Sequence, residues 1–382
     1  MRLSTDRILT THVGSLPRSQ KVSELLLKKE QDEAYDPAEF DTVMREAVAQ
    51  VVDDQKRIGI DVVSDGETSK IGYATYIKDR CEGFGGGDYT PPIHLDLKDH
   101  PEYRQMMVRM RGPQLFRRLC CVGPISVKDR SQLDSELGNF RAAMDAAGVA
   151  EGFLNSASPG VIASFQPNRY YPNHEAYIEA LAEVMREEYE AIVNAGFLLQ
   201  IDCPDLAMSR HTGFQDLTDD EFMKRIAFHV EVLNHTLRNI PAGKLRMHIC
   251  WGNYEGPHDF DVPLEKIHAV IVKAKPQGIS FEAANPRHDH EWNVWRELNT
   301  PDDKVLLPGV IDSSTNYVEH PELVAQRIER FAGAVGRERV IASVDCGFGT
   351  FAGTVMVEPK IAEKKLRALV EGAQIASRRL WS

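Results

Sequence analysis

Short apolar runs alternate with longer amphipathic segments along the chain, and this alternation constrains the fold more than any other sequence feature. Strand–helix alternation is typical of a parallel sheet covered by helices. Eight such repeats favour a closed (β/α)8 TIM barrel over a doubly wound sheet, the alternative. No G-x-G-x-x-G follows an early strand, which disfavours a dinucleotide-binding sheet. The eight strand candidates are residues 9–13, 60–63, 152–154, 197–201, 245–249, 278–281, 305–310 and 340–344.

The helical segments carry start and stop signals. The clearest signal is Asp36 as N-cap, with Pro37 as the first helical residue and Glu39 in the capping-box position. An apolar face at helical spacing follows, and Gly59 supplies the stop. Similar patterns predict helices at residues 173–195, 218–239, 320–335 and 359–379.

Residues 68–150 are too long for one strand–helix connection. They contain the glycine-rich stretch GFGGGDYTPP and a hairpin signal around residues 120–127. We therefore predict one barrel domain over residues 1–382, with residues 68–150 as an insertion between the second and third strands, over the barrel mouth.

Composition excludes several classes of protein. The 382 residues are 42% apolar and 27% charged, an ordinary globular profile, which excludes a disordered chain or a fibre. The net charge is 45 − 57 = −12, which argues against nucleic acid as a partner. No apolar run approaches the roughly 20 residues that span a bilayer, and the N-terminus lacks a secretory apolar core, so we expect a cytoplasmic protein without a membrane partner.

Three strand ends carry metal-ligand side chains. His248 and Cys250 lie two residues apart, so both point to one face of a strand. Glu282 closes the next strand and Cys346 follows the last. Each cysteine alone is better explained by core packing, but four such side chains at equivalent strand ends indicate a tetrahedral zinc site. Six cysteines in a chain of this length do not indicate a disulfide framework, and we interpret Cys203 as packing or pocket lining.

These segments resemble a known family. The motifs TTHVGSLPR, DVVSDGE, LQIDCPD, HICWGN, PGVID and VDCGFGT, with H-x-C, Glu and Cys in barrel order, are similar to the C-terminal catalytic barrel of the cobalamin-independent methionine synthases. The resemblance covers nearly the whole chain, without the second, N-terminal barrel of full-length members. It implies a catalytic zinc held by His248, Cys250, Glu282 and Cys346. It also implies a thiol substrate that binds the zinc as thiolate and displaces the carboxylate.

The resemblance further implies an amino-acid thiol such as homocysteine. Glu67 and Asp202 match positions that hold its ammonium group, and the backbone of Val13, Gly14 and Ser15 matches the segment that receives its carboxylate. The simpler interpretation of the two acidic residues is a salt bridge to a nearby arginine. Acidic residues at barrel strand ends are costly unless they are paired or used, which favours the functional role.

The sequence also departs from the family pattern. No histidine follows Asp312, where the family places its general acid, and Phe165 stands near the place of the pterin-stacking tryptophan. These departures put methyltetrahydrofolate in doubt as the donor, because its nitrogen must be protonated as it leaves. His288 or His290 could act as the acid instead, and Arg287 could hold an anionic group, although a solvated polar loop explains these residues equally well.

We therefore predict a zinc-dependent enzyme that transfers a methyl or other alkyl group from a small-molecule donor to a thiol, giving methionine or a related thioether. The alternative enzyme is an epoxyalkane–coenzyme M transferase, in which Arg18 or Arg287 would bind the sulfonate. A scaffold with structural zinc and a zinc-free decarboxylase-like barrel are the other classes. The oligomeric state stays open, with a homo-oligomer as one option.

Overall fold

The alternation of strands and helices is present throughout the chain. The computed structural model describes residues 1–87, 89–111 and 115–382, so Asp88 and residues 112–114 of the predicted insertion lie outside the described residues. The strands are β1 (Leu9–Thr10), β2 (Val63–Ser64), β3 (Cys81–Gly85), β4 (Cys120–Val127), β5 (Gly152–Ala157), β6 (Leu198–Asp202), β7 (Leu245–Ile249), β8 (Gly278–Phe281), β9 (Val305–Pro308) and β10 (Ile341–Ala342). The helices are α1 (Gln20–Glu30), α2 (Pro37–Ile58), α3 (Ile77–Arg80), α4 (Leu95–Lys98), α5 (Pro101–Arg111), α6 (Ser131–Ala147), α7 (Pro159–Phe165), α8 (His174–Asn194), α9 (Asp219–Thr236), α10 (Leu264–Ile271), α11 (Trp292–Glu297), α12 (Pro321–Val335) and α13 (Pro359–Leu380).

Parallel pairing organises the main sheet. Six strands pair in the order β2-β5-β6-β7-β8-β9, and β1 pairs with β10. Isolated parallel bridges join Leu306 to Val340 and Gly309 to Ser343, beside β9 and β10. The result is an α/β fold whose parallel strands curl into a half-barrel. All eight strand candidates coincide with or overlap these parallel strands.

The central strands are buried on both faces. Every residue of β5, β6 and β7 is buried, as expected where helices cover a parallel sheet. Their register sets Asp202 beside His248, and His248 beside Ser280. The carboxyl ends of neighbouring strands are therefore level, which brings the polar residues that follow them to one edge of the sheet.

Most of the predicted helix signals are confirmed, but Glu39 forms no capping box with Asp36 and instead pairs with Lys21. Asp36 caps α2 by accepting a hydrogen bond from the Ala38 amide, and Gly59 ends the helix with φ of 101°, a left-handed conformation that glycine adopts without a steric penalty. The capping box of Thr218 and Glu221 is present at the start of α9. The buried side chains of α2 include Met44, Val48 and Val52, which recur at helical spacing.

The segment between β2 and β5 differs from the local hairpin expected at residues 120–127. Residues 120–127 form the single strand β4, which pairs antiparallel with β3, a strand from much earlier in the chain. The cause is pairing across the sequence: Cys81 lies opposite Val127 and Gly85 opposite Cys120. Helix α6 packs against α2 and leads directly into β5.

A single large cluster of buried apolar side chains joins the strands to the helices on the outer face. It includes Phe140 and Met144 of α6, Tyr189 of α8 and Phe281 of β8. Within the described part of the chain, no helix combines the length and the apolar character that crossing a membrane requires.

Candidate functional site

Four side chains of three metal-ligand types lie at or beyond the strand ends. His248 lies on β7 and Cys250 immediately follows it, while Glu282 immediately follows β8. Cys346 lies beyond β10. One nitrogen of His248 and the two sulfur atoms all lie within 4.8 Å of one another. The Cys346 Sγ atom is 3.5 Å from His248 Nε2 and 3.7 Å from Glu282 Oε1.

These distances fit one tetrahedral ion. Zinc–sulfur bonds of about 2.3 Å and zinc–nitrogen bonds of about 2.0–2.1 Å place two donors of the same ion about 3.5–3.8 Å apart. The separations of the Cys346 sulfur from His248 Nε2 and Glu282 Oε1 lie in this range. Two thiols, an imidazole and a carboxylate also match the ligand preferences of zinc. His248, Cys250 and Cys346 therefore fit the predicted ion by both distance and donor chemistry, and Glu282 approaches the Cys346 sulfur closely enough to complete the set.

Burial controls the protonation of this cluster. Burial, followed by the charge of Arg246, lowers the pKa of His248 to about 3, so the imidazole is neutral and free to ligate. Burial raises the pKa of the Glu282 carboxyl and of the Cys346 thiol, and the neighbouring Cys250 adds to the rise at Cys346. Without a cation the cluster therefore favours its protonated acids, and a cation would release protons as it binds.

Surrounding groups fix the orientation of the Glu282 carboxylate. The Trp251 amide donates to Oε1 and the Asn285 side-chain amide donates to Oε2, each over 2.7 Å. Asp345, beside Cys346 in sequence, accepts hydrogen bonds from the amides of Ala283 and Ala284. The two segments that carry Glu282 and Cys346 are therefore held together by hydrogen bonds, without any contribution from an ion.

A pair of buried carboxylates forms a second feature of this edge. Burial, together with the charge of Asp202, raises the pKa of Glu67 to about 8. Burial raises the pKa of Asp202 to about 6, although Asn155 and Gln200 donate hydrogen bonds to it. Lys70 neutralises part of this charge. The Glu67 Oε2 atom is buried and has no hydrogen-bond partner, so the pocket retains an unsatisfied acceptor.

The backbone at Glu67 is strained. Its φ of 51° is left-handed, a conformation that costs energy for a residue other than glycine and clusters at functional sites. Arg18 stabilises this turn, because its guanidinium donates to the carbonyls of Glu67, Lys70 and Gly349. Arg18 therefore lies against the turn at Glu67, and its guanidinium is bonded to the backbone of that turn.

The segment of Val13, Gly14 and Ser15 lies next to this pair. The Asn155 side-chain amide donates to the Val13 carbonyl and also to the Asp202 carboxylate. Gly14 has φ of 141°, and a Cβ there would lie 2.2 Å from Asn155 Oδ1. Only glycine fits this close approach, so the structure brings the segment and Asp202 together through Asn155.

The residues after Glu282 separate into two groups. His288 is buried and its ring stacks on Trp251, with 4.2 Å between the ring centroids. Burial lowers its pKa, but hydrogen bonds to Asp261 and Glu291 outweigh that effect and raise the pKa to about 10. His290 and Arg287 are exposed, and in the described part of the chain their side chains make no hydrogen bond or ion pair.

An aromatic wall stands beside the thiols. Tyr73 packs against Phe165 and Phe351, with ring centroids 5.5 Å and 5.7 Å away. The guanidinium of Arg118 lies 4.6 Å from the centre of the Phe165 ring. Burial, and then the nearby Cys250, raise the pKa of the Tyr73 hydroxyl. The wall therefore lies near the group of His248, Cys250, Glu282 and Cys346, which we call the thiol cluster.

Sequence reasoning overlooked several supporting residues. Asn155 lies in β5, every residue of which is buried. A side-chain amide within a predicted buried strand was the sequence signal that could have identified Asn155 as a supporting residue. Lys70 donates to the Asn155 carbonyl from a buried position close after the SDGE motif. Nothing in the sequence around Tyr73 or Arg118 indicated their place, because they lie on the long segment between β2 and β5.

The chain combines a parallel α/β fold with thiol, imidazole and carboxylate donors at its strand ends, and known proteins resemble it in sequence. The family model described as the catalytic domain of cobalamin-independent synthase matches residues 8–85. The methionine synthase of Saccharolobus solfataricus is 25% identical over 376 residues, covering 97% of this chain and 95% of that protein. The methionine synthase of Thermococcus kodakarensis is 24% identical over 372 residues, covering 97% and 94%.

The fold is shared with a solved structure. The B12-independent methionine synthase from Shewanella sp. W3-18-1, in complex with selenomethionine, superimposes with a TM-score of 0.74 at 19% identity, covering 98% of this chain and 99% of that one. The predicted resemblance to the cobalamin-independent methionine synthase family is thus confirmed.

Proposed function

We propose that this chain transfers a methyl group to the thiol of homocysteine, giving methionine, and that His248, Cys250, Glu282 and Cys346 hold a catalytic zinc ion. The observation that carries the proposal is the convergence of His248, Cys250 and Cys346 at level strand ends, with Glu282 Oε1 lying 3.7 Å from the Cys346 sulfur. The relatives named methionine synthase, which align with 97% of the chain, support the acceptor.

A bound zinc ion would supply positive charge that favours the thiolate of a substrate whose free thiol has a pKa of about 8.5. Of the four proposed ligands, the carboxylate of Glu282 is the one most readily exchanged for an incoming sulfur. Trp251 and Asn285 hold that carboxylate in a fixed orientation by hydrogen bonds that do not depend on an ion.

Glu67 and Asp202 orient the amino-acid part of the substrate in this proposal. A substrate ammonium would pair with two carboxylates that burial otherwise keeps partly protonated, and it would satisfy Glu67 Oε2. The substrate carboxylate would lie at the backbone of Gly14 and Ser15, next to the Val13 carbonyl that Asn155 joins to Asp202. The substrate sulfur then forms its bond to the methyl carbon as the donor's bond to that carbon breaks, and the bonding pair leaves with the donor.

The donor side of the pocket is proposed to be the wall of Tyr73, Phe165 and Phe351. After β9, where a general acid would be expected, Asp312 accepts hydrogen bonds from Ser314 and caps a turn. His288 holds its proton with a pKa of about 10 and is shielded by Trp251, so we no longer favour it as the acid. The four residues that follow Asp312 include no imidazole, so we propose a donor whose leaving group needs no protonation at this point.

We also propose that the parallel strands close into one eight-stranded barrel that forms a single domain over residues 1–382. The amides of Asp61 and Val62 donate to the Thr10 carbonyl, next to β2 and β1. The buried guanidinium of Arg246 on β7 reaches the His12 carbonyl across the interior. Both contacts support closure between the first and last parts of the sheet.

Coenzyme M is the less favoured acceptor. A sulfonate needs a free guanidinium, but Arg18 is bonded to backbone carbonyls and Arg287 is exposed to solvent. The paired carboxylates of Glu67 and Asp202 would repel a sulfonate instead of binding it.

A thiol screen on the zinc-loaded enzyme tests the proposal. Homocysteine, coenzyme M and glutathione are added in turn, and X-ray absorption at the zinc edge records the ligands. We expect homocysteine alone to add one sulfur to the metal shell and to be methylated when a donor is supplied. Binding of coenzyme M in preference to homocysteine would support the alternative, and an unchanged shell with all three thiols would contradict both.

A further inference from the structure

A second group of buried ligand-type side chains lies outside the thiol cluster. Asp96 on α4, His211 after β6, and Asp261 after β7 each place one ligand atom within 4.8 Å of the other two. The His211 Nδ1 atom is 3.2 Å from Asp261 Oδ1, and the His211 Nε2 atom is 3.9 Å from Asp96 Oδ2. We name these three residues the Asp96–His211–Asp261 cluster.

The cluster contains polar atoms that nothing satisfies. The side chain of His211 is 0% exposed, yet neither of its ring nitrogens has a hydrogen-bond partner. The Asp261 Oδ1 atom, which faces this ring, is also buried without a hydrogen bond. Leaving such buried groups without a hydrogen bond is destabilising, and a cation would satisfy an imidazole nitrogen and a carboxylate oxygen together.

The remaining atoms of the carboxylates are already held. Asp261 Oδ2 is bonded to His258 over 2.9 Å and to His288 over 3.1 Å. Asp96 accepts from the Phe260 amide over 3.2 Å and from the Tyr254 hydroxyl. These partners fix the orientation of both carboxylates. Asp261 Oδ1 is left without a hydrogen bond, whereas Asp96 Oδ2, the oxygen nearer His211, also accepts from Tyr254.

The charges of the cluster suit a divalent cation. Burial lowers the pKa of His211, despite the nearby carboxylates, which favours the neutral imidazole that can ligate. Burial raises the pKa of Asp261, but the bonds from His258 and His288 outweigh it, so this carboxylate is charged. One imidazole and two carboxylates, without sulfur, favour ions that prefer nitrogen and oxygen, such as Mn²⁺, Fe²⁺ or Zn²⁺.

We propose that the Asp96–His211–Asp261 cluster is a second metal site that binds one divalent cation with nitrogen and oxygen ligands. The ion would link α4, from the segment between β2 and β5, to the loops that follow β6 and β7. The Leu95 amide already donates to the His211 carbonyl over 3.0 Å at this junction. The proposal does not depend on the proposed function.

The second site is also joined to the first. Asp261 is bonded to His288, the His288 ring stacks on Trp251, and the Trp251 amide donates to Glu282. A cation at Asp261 would therefore hold the loop that carries Trp251 and fix the position of a proposed ligand of the first site. In this role Asp96, His211 and Asp261 would be positioning residues, because they would act on Glu282 through His288 and Trp251.

Manganese binding to the intact chain tests the second site. The protein is stripped with a chelator and titrated with Mn²⁺, and bound ion is counted by electron paramagnetic resonance. We expect one Mn²⁺ per chain in the unaltered protein and in C346S, because loss of a thiol leaves the second site intact. In His211→Gln and Asp261→Asn we expect at least a tenfold weaker affinity. His268→Gln, which alters a buried histidine elsewhere, should bind as the unaltered protein does.

Two further measurements keep the test decisive if a variant fails to fold. In the unaltered protein Mn²⁺ should raise the unfolding temperature, and crystals soaked in Mn²⁺ should show an anomalous peak between Asp96, His211 and Asp261. Absence of bound Mn²⁺, equal affinity in His211→Gln, or a peak at any other position would overturn the second site. Because C346S removes only a proposed zinc ligand, loss of the second site and failure of the proposed function give different results.

Discussion

The thiol cluster and the Glu67–Asp202 pair both lie buried at the strand ends, and both suit a cation, but they are built differently. In the thiol cluster, each oxygen of Glu282 receives a hydrogen bond from a neighbouring amide. In the carboxylate pair, one oxygen of Glu67 has no partner and the backbone is held at a strained φ of 51°. In the proposed function, the first arrangement would hold a resident ion and the second would bind the substrate ammonium.

The largest effect should follow from removing one thiol. Cys346→Ser is expected to lose metal and to reduce methyl transfer on the order of 10³-fold, since a metal contributes several kcal/mol to such a reaction. Metal content by mass spectrometry and the initial rate with homocysteine measure the two effects. Cys203→Ser is the matched control, because Cys203 is equally buried at a strand end, donates to the Ile201 carbonyl and is not one of the four proposed ligands. Retention of both metal and activity in Cys346→Ser would show that the thiol cluster is only packing.

A smaller effect should follow in the carboxylate pair. Glu67→Gln removes one charge that would face the substrate ammonium, and a hydrogen bond to a charged group is worth about 1.5–3 kcal/mol. We expect the KM for homocysteine to rise about 10–100-fold, with the metal content unchanged. Steady-state kinetics measure this, with Glu82→Gln on the exposed face of β3 as the control. A fall in metal content with an unchanged KM would assign Glu67 to the thiol cluster and remove the distinction between the two regions.

The dependence of stability on pH sharpens the same comparison. Burial raises the pKa of Glu67 from 4.5 to about 8 and that of Asp202 from 3.8 to about 6, so the folded chain binds these protons more tightly than the unfolded chain. Their contribution to stability is complete below pH values of about 4 and is lost as the pH rises towards 8, by at most about 1.4 kcal/mol per pH unit for each proton. Urea unfolding at successive pH values should show this decline, and Glu67→Gln should flatten it above pH 6. A decline that is unchanged in Glu67→Gln would mean that another group binds the proton.

The sequence predicted the strand ends far better than the segment between β2 and β5. Strands β7 and β8 have the predicted bounds, because continuous apolar runs between polar residues specify buried parallel strands. The spacing of His248 and Cys250 then fixes a shared face, and strand order brings Glu282 and Cys346 to it. Local patterns were sufficient here, because each strand carries its own donor.

Contacts between distant segments were beyond this reasoning. Strand β4 pairs with β3, and Asp96 reaches His211 and Asp261 on two other loops. Neither contact leaves a periodic signal in the sequence, since both depend on how a long segment folds back over the sheet. The same limit explains why Arg18 was expected to bind substrate: only the fold shows that its guanidinium bonds to the carbonyls of Glu67 and Lys70.

The smallest effect should follow from a change that touches neither region. In the capping box of α9, Thr218 Oγ1 accepts from the Glu221 amide and Glu221 accepts from the Thr218 amide. Thr218→Ala should lower the free energy of unfolding by about 1 kcal/mol, the usual cost of losing an N-cap. Ser135→Ala, exposed within α6, is the control and should lose nothing, because alanine is the better helix former. Chemical denaturation measures both variants.

Metal content and the KM for homocysteine should be unchanged in Thr218→Ala, so this variant sets the scale of a purely structural loss. If a loss of stability of this size by itself weakened metal binding or homocysteine binding, the effects of Cys346→Ser and Glu67→Gln could not be assigned to two separate cation pockets. If it does not, those larger effects arise from the chemistry at the strand ends, where one pocket keeps its cation and the other exchanges it.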